Sequence, residues 1–207
     1  MKVSVIANDA LKEELLAQGL DASVQVQWLD EPAAFAETSS YIDLLFDNSE
    51  KRIASLKKFS PAIVIVNSVI TDLKNLPENF IRINGWPTFL KREIVEASCT
   101  NDNIKPVCEN IFAAFGKKTE WVPDIPGFVS ARVVCMIINE AYFSLEEGVS
   151  SKSEIDIAMK LGTNYPYGPF EWSEKIGLSN VYELLIALEK TNSRYKPCNL
   201  LKKEIQP

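Results

Sequence analysis

From Pro126-Gly127 the chain runs Phe128-Val-Ser-Ala-Arg-Val-Val-Cys-Met-Ile-Ile-Asn-Glu-Ala-Tyr-Phe-Ser-Leu-Glu-Glu-Gly148. This run is too long and apolar for a strand, and polar residues interrupt it too often for a membrane span. It reads as a mostly buried helix that starts after Pro-Gly and stops at Gly148. Ser150 is expected to cap a second helix. Its wet face would carry Lys152, Glu154, Asp156 and Lys160, and its dry face Ile155, Ala158, Met159 and Leu161. A dense turn over residues 162–171 follows, then a third helix through residues 181–188. The stretch predicts an all-α unit.

Working outward, residues 2–6 read as a strand, 9–18 as a helix ended at Gly19, and 24–29 as a second strand with one wet face or an edge position. A strand–helix–strand opening is how a parallel doubly wound sheet begins. Further strands are expected at 42–46, 61–67, 80–84, 93–97 and 119–122. Helices are expected at 50–58, 72–76 and 104–115. The Pro-rich link at 123–126 then divides the chain into a reduced Rossmann-like α/β domain, 1–122, and a helical domain, 123–207.

At 207 residues the chain can bury a core for one large domain or two small ones. Apolar content of 46% and charged content of 24% are those of a globular protein. A net charge of −6 argues against nucleic acid or an anionic membrane as a partner. The N-terminus has no signal-peptide layout, and Cys99, Cys108, Cys135 and Cys198 lack metal-ligand spacing. They are expected to be free thiols in a reducing cytoplasm. The chain contains no histidine.

A family resemblance rests on many short motifs in order: Pro126-Gly127-Phe128, Asn139-Glu140-Ala141, Glu146-Glu147-Gly148, Ile155-Asp156, Ala158-Met159-Lys160-Leu161-Gly162, Tyr165-Pro166, Gly168-Pro169-Phe170-Glu171 and Gly177-Leu178. Together they resemble the C-terminal domain of the 3-hydroxyacyl-CoA dehydrogenase family. The N-terminal half resembles that family's nucleotide-binding domain in shortened form. Residues 31–41 stand where the family has a long helical excursion.

The resemblance implies hydride transfer between NAD and the 3-hydroxyl of an acyl-CoA, with a His base oriented by a Glu. The family's His-led motif and its Glu align onto residues 84–96, which puts Asn84 at the base and Glu96 at the orienting carboxylate. An amide cannot take up the proton, so the roughly 10²–10⁴-fold from general-base catalysis would be lost. Asn84 and Glu96 read either as a relic site or as a structural pair. Asn67-Ser68-Val69 stands at the family's Asn-Thr-Ser and keeps the Asn. Ala131 replaces a substrate-facing Asn, and the neighbouring Ser130 would supply a hydroxyl only on a rotated helix face.

A dinucleotide fold needs Gly-x-Gly-x-x-Gly after its first strand, so that backbone and helix N-terminus meet the pyrophosphate. Here the turn reads Ala7-Asn8-Asp9-Ala10-Leu11-Lys12. Asp9 is expected to be the N-cap of the first helix, and Lys12 would only partly offset its charge. Asp30 ends the second strand, where such folds bind a ribose; without the glycines it reads more simply as a solvated strand-end Asp. NAD is implied by resemblance alone, and no cofactor is expected.

The apolar helix 133–145 suits a two-fold dimer interface as well as it suits the domain's own core. Arg132 is placed for a buried ion pair. Three functions are open: a family member that has lost NAD-dependent catalysis and keeps an acyl-CoA-binding or assembly role; an oxidoreductase with altered chemistry that uses Glu96 directly; and a non-catalytic dimerisation module.

Overall fold

The computed structural model describes residues 1–35, 38 and 40–205. Ala36, Glu37 and Ser39 in the shortened interval, and Gln206 and Pro207 at the end of the helical domain, lie outside it. The chain forms two compact units, Met1–Phe128 and Val129–Pro207.

In the first unit the elements are β1 (Lys2–Ile6), α1 (Asp9–Leu16), β2 (Gln25–Leu29), β3 (Ser40–Asp43), α2 (Glu50–Lys57), β4 (Ile63–Asn67), β5 (Phe80–Ile83), β6 (Ile94–Cys99), α3 (Lys105–Ala114) and β7 (Lys118–Trp121). The strands join in the order β2-β1-β3-β4-β5-β6-β7. All neighbours are parallel except β5 and β6.

Side-chain alternation explains the two faces. Val3, Val5, Ile65, Ile81 and Ile83 point into one core with Leu11, Leu15, Ile111 and Phe112. Ile6, Val64, Val66 and Phe80 point into the other with Leu56 and Phe59. Sheet residues apolar on both sides therefore require helices on both sides.

The observed elements differ from the expected ones at several places. The first helix ends at Leu16, and its N-cap is Asn8, whose side chain accepts from the Leu11 N–H. Asp9 is the first helical residue instead. The strand expected at 42–46 is β3, Ser40–Asp43. The buried Asp43 carboxylate accepts from the Leu45 N–H at 3.1 Å and turns the chain there. The helix expected at 72–76 is a run of turns. Asp124 takes the Leu73 N–H from outside the segment at 2.9 Å. In the helix expected at 104–115, a 3₁₀ turn at Asp102–Ile104 leads into α3.

The second unit holds α4 (Ser130–Glu146), α5 (Lys152–Thr163), α6 (Pro169–Ile176), α7 (Leu178–Glu189) and α8 (Asn199–Ile205). On α4, Ala131, Val134, Cys135, Ile138, Asn139, Ala141 and Tyr142 are buried, a stripe at helical spacing. The other four helices all pack on α4.

Three expectations change here. Ser151, not Ser150, caps α5, with Glu154 closing a capping box. The faces of α5 differ from the expected ones. Asp156 is buried and Leu161 is 84% exposed. The segment taken as a turn runs into the start of α6, opened by Pro169 at its first position.

Asp156 is inside because it caps α6, accepting from the Phe170 N–H at 2.8 Å and the Glu171 N–H at 3.2 Å. Gly168 fits against that carboxylate only because it has no Cβ. Asn139 ties α4 to the segment before α8, donating to the Lys196 carbonyl at 3.0 Å and accepting from the Cys198 N–H at 2.8 Å. Arg132 lies over the Tyr195 ring, 5.7 Å from its centroid. No helix among the described residues is long and apolar enough to cross a membrane.

Candidate functional site

The C-terminal ends of β4 and β5, with the middle of β6, bring four of the expected residues close together. Asn67 ends β4. Its amide donates to the Leu44 and Gly85 carbonyls, both at 3.2 Å, and its Oδ1 accepts from the Gly85 N–H at 3.0 Å. Those bonds stitch three chain segments and leave little of the amide for a ligand. A Cβ on Gly85 would lie 3.0 Å from the Asn67 Cγ, so the two residues fit as a pair. The Ser68 hydroxyl donates to the Thr71 carbonyl at 2.9 Å, within its own loop.

Asn84 follows β5 and is 2% exposed. Its Nδ2 donates to Glu96 Oε2 at 2.9 Å, while its backbone N–H donates to the Glu96 carbonyl at 3.0 Å. An ionised carboxylate only accepts, so it fixes which end of the amide faces it. Asn84 Oδ1 then points away, buried and without a hydrogen-bond partner among the described residues. The Asn84 amide thus keeps one unused acceptor and, unlike a histidine, cannot take up and carry a proton.

Several residues that the sequence reading passed over build the surroundings. Arg82 sits within the apolar run Phe-Ile-Arg-Ile, on the face opposite Ile81 and Ile83, and is fully buried. Its guanidinium pairs with Asp124 and donates to the Ser68 carbonyl at 3.0 Å and to the Ile125 carbonyl. The Phe128 ring lies 4.1 Å from it. Burial pulls this guanidinium below its ordinary pKa, against the attraction of Asp124. A charged residue inside an apolar strand was the available signal.

Thr88 has φ +75, a strained conformation for a β-branched residue. The Glu14 carboxylate holds it there, accepting from its N–H at 2.8 and 2.9 Å. Lys117 Nζ is buried against the carbonyls of Leu90 at 2.7 Å and Arg92 at 3.0 Å, and burial pulls its pKa down to about 8. No sequence signal pointed to either contact. Both hold the loop that carries Gly85 and Trp86.

The β1–α1 turn does not fit a dinucleotide pyrophosphate. Asn8 Oδ1 occupies the Leu11 N–H at 3.0 Å, a donor that an anion at the helix end would use. Asp9 adds negative charge in the first turn. Lys12 lies over the Trp28 ring, 4.9 Å from its centroid. Across the switch point between β1 and β3, the fully buried Asp43 side chain pairs with Arg52 at 2.7 Å, and Arg52 reaches Glu31 at 2.6 Å. Burial raises the Asp43 pKa against the pull of Arg52. Asp30 is exposed at the end of β2, on the far side of β1 and β3 from Asn67. Ser130 belongs to the second unit, as the first residue of α4.

A mostly parallel Rossmann-like sheet followed by a helical bundle defines a two-part dehydrogenase-type fold. The profile of the 3-hydroxyacyl-CoA dehydrogenase C-terminal domain matches residues 127–206. A 3-hydroxybutyryl-CoA dehydrogenase of Bradyrhizobium diazoefficiens is 35% identical over 135 residues, 63% of this chain and 46% of the relative. A 3-hydroxyadipyl-CoA dehydrogenase of Escherichia coli is 45% identical over 89 residues, 42% of this chain and 19% of the relative. The crystal structure of an (S)-3-hydroxybutyryl-CoA dehydrogenase from Ralstonia eutropha superposes with a TM-score of 0.78 at 20% identity, covering 99% of this chain and 93% of that one. Residues 127–206 thus carry the C-terminal domain of the 3-hydroxyacyl-CoA dehydrogenases, and the chain is similar to these enzymes in fold. It spans about half the length, or less, of these curated relatives.

Proposed function

We propose that this protein is a 3-hydroxyacyl-CoA dehydrogenase-like protein that does not carry out NAD-dependent hydride transfer and works in the cytoplasm by binding an acyl-CoA or by assembly. The observation that carries the reading is the Asn84–Glu96 pair: an amide, which cannot act as a base, hydrogen-bonded at 2.9 Å to the Glu96 carboxylate. The self-capped β1–α1 turn supports it, since the Leu11 N–H, a donor that would meet a pyrophosphate, is taken up by Asn8. The unused Asn84 Oδ1 suits a hydroxyl donor on a ligand, which supports retained binding.

Assembly is supported by the second unit. Val129 and Val133, four residues apart, are 57% and 52% exposed, and Ile157 and Leu161 are 50% and 84% exposed. Exposed apolar pairs at the start of α4 and on α5 suit a homodimer.

The test is NADH oxidation with acetoacetyl-CoA, run beside a thermal-shift titration with NADH, NAD, CoA and acetoacetyl-CoA. The reading expects no rate above the blank and no shift with either nicotinamide. An acyl-CoA at about 100 times its Kd would stabilise by roughly 2.7 kcal/mol. A clear rate would refute the reading, and its loss in Glu96→Gln would favour the alternative of altered chemistry through Glu96.

A further inference from the structure

The two edges of the sheet are built differently. At one edge β7 carries Lys118 and Glu120, charges that discourage pairing with another strand. At the other, β2 reads Gln25-Val26-Gln27-Trp28-Leu29, with no charge and no proline. In a doubly wound sheet of order 3-2-1-4-5-6 the second strand has a neighbour on each side. Here, among the described residues, β2 ends the sheet and pairs only with β1.

The direction of the β2 backbone follows from its ladder. The Gln25 N–H donates to the Met1 carbonyl at 2.9 Å, and the Leu29 carbonyl accepts from the Ala7 N–H at 3.2 Å. Bonding alternates along a strand, so Gln25, Gln27 and Leu29 turn their backbone groups inward. Val26 and Trp28 turn theirs outward. Among the described residues, no hydrogen bond reaches those outward groups.

We propose that β2 is an interaction surface for the β2 of a second copy of this chain, paired antiparallel about a two-fold axis at Gln27. In that register Val26 faces Trp28 of the second copy, and the outward N–H and C=O groups of both satisfy each other. The side chains complement themselves as well. Val26 and Trp28 share the face packed against the main core, so each copy sets an aliphatic residue against an aromatic one. Gln27 meets its own counterpart, and no like charges come opposite: Asp30 faces Val24 and Glu31 faces Ser23. Five residues a side fall well short of the roughly 800 Å² per partner of a stable complex, so this association is weak and concentration-dependent.

Only this register places residue 27 opposite itself, which defines the test. Sedimentation equilibrium is run on the full chain with Leu161→Asp, so that the apolar face of the second unit does not contribute. Gln27→Lys and Gln27→Glu each set like charges together in a close, non-hydrogen-bonded pair and are expected to weaken self-association about fivefold. An equal mixture of the two variants restores it. Val26→Pro removes an outward N–H without breaking the β1 ladder and is expected to abolish association. Unchanged association in Gln27→Lys, or a mixture no stronger than either variant alone, overturns the two-fold register. Association lost only with Val26→Pro means that another strand takes the edge, and no self-association in the Leu161→Asp chain overturns the proposal outright.

Discussion

Replacing Gly168 by alanine tests whether the Gly168-Pro169-Phe170-Glu171 motif is kept for shape. Gly168 has φ −73 and ψ 165, a conformation that any residue adopts, so alanine brings no backbone strain. By itself such a change would stabilise by about 0.4–1 kcal/mol through the unfolded chain. The added Cβ, however, would lie 2.2 Å from Asp156 Oδ1, 2.3 Å from its Cγ and 2.4 Å from its Cβ. That carboxylate cannot move away without releasing the Phe170 and Glu171 N–H groups it caps. Overpacking costs about 1–3 kcal/mol and a lost cap about 0.5–2 kcal/mol, so the net is a destabilisation of about 2–3 kcal/mol. The assay is urea unfolding followed by circular dichroism, with Gly168→Ala, Asp156→Ala and the double variant compared. Asp156→Ala alone loses the cap and costs about 1–2 kcal/mol. In its background Gly168→Ala meets no carboxylate but still meets the Cβ at position 156, 2.4 Å from where its own would lie, so it costs less than in the wild type without becoming neutral. A Gly168→Ala chain within about 0.5 kcal/mol of the wild type, or a cycle whose two costs simply add, would refute the reasoning.

Two further predictions concern the first unit. Asp124→Asn leaves the buried Arg82 guanidinium without its counter-charge, and about 3 kcal/mol of stability should be lost in urea unfolding; Arg82→Met in the same background should recover part of it. Lys117 has a folded pKa of about 8, below its ordinary 10.5. The unfolded chain therefore binds more protons than the folded chain between those values, and stability should rise with pH across that window. Lys117→Met should flatten the rise, and an unchanged slope in the variant would assign it to other groups.

Much of the sheet was legible because its strands are apolar at successive positions, as in residues 63–66, and only a sheet covered on both sides buries them. The α4 stripe was legible for the same reason at helical spacing. Contacts made across the chain were not. Helical periodicity put Asp156 on the wet face, because its partners are backbone amides 14 and 15 residues away, which no local pattern reveals. Residues 72–76 have helical propensity, but the Leu73 amide is claimed by Asp124, 51 residues on. The Asn84–Glu96 contact was legible as an aligned spacing. The strain at Thr88 and the Glu14 carboxylate that holds it were not.

Asn67 shows why a residue kept at a site-like position does not by itself argue for chemistry. Its two amide donor contacts and its acceptor contact all go to backbone groups, joining the ends of β3 and β4 to the loop after β5. Replacing it would leave buried carbonyls and an N–H unsatisfied, at about 1–3 kcal/mol each. That cost alone is enough to hold an asparagine there, whatever the protein binds. Asn84 is different. It satisfies Glu96 with one end and leaves a buried acceptor at the other, an arrangement that lowers stability unless something donates to it. Of the two asparagines, Asn84 is the one that keeps a buried acceptor unpaired among the described residues.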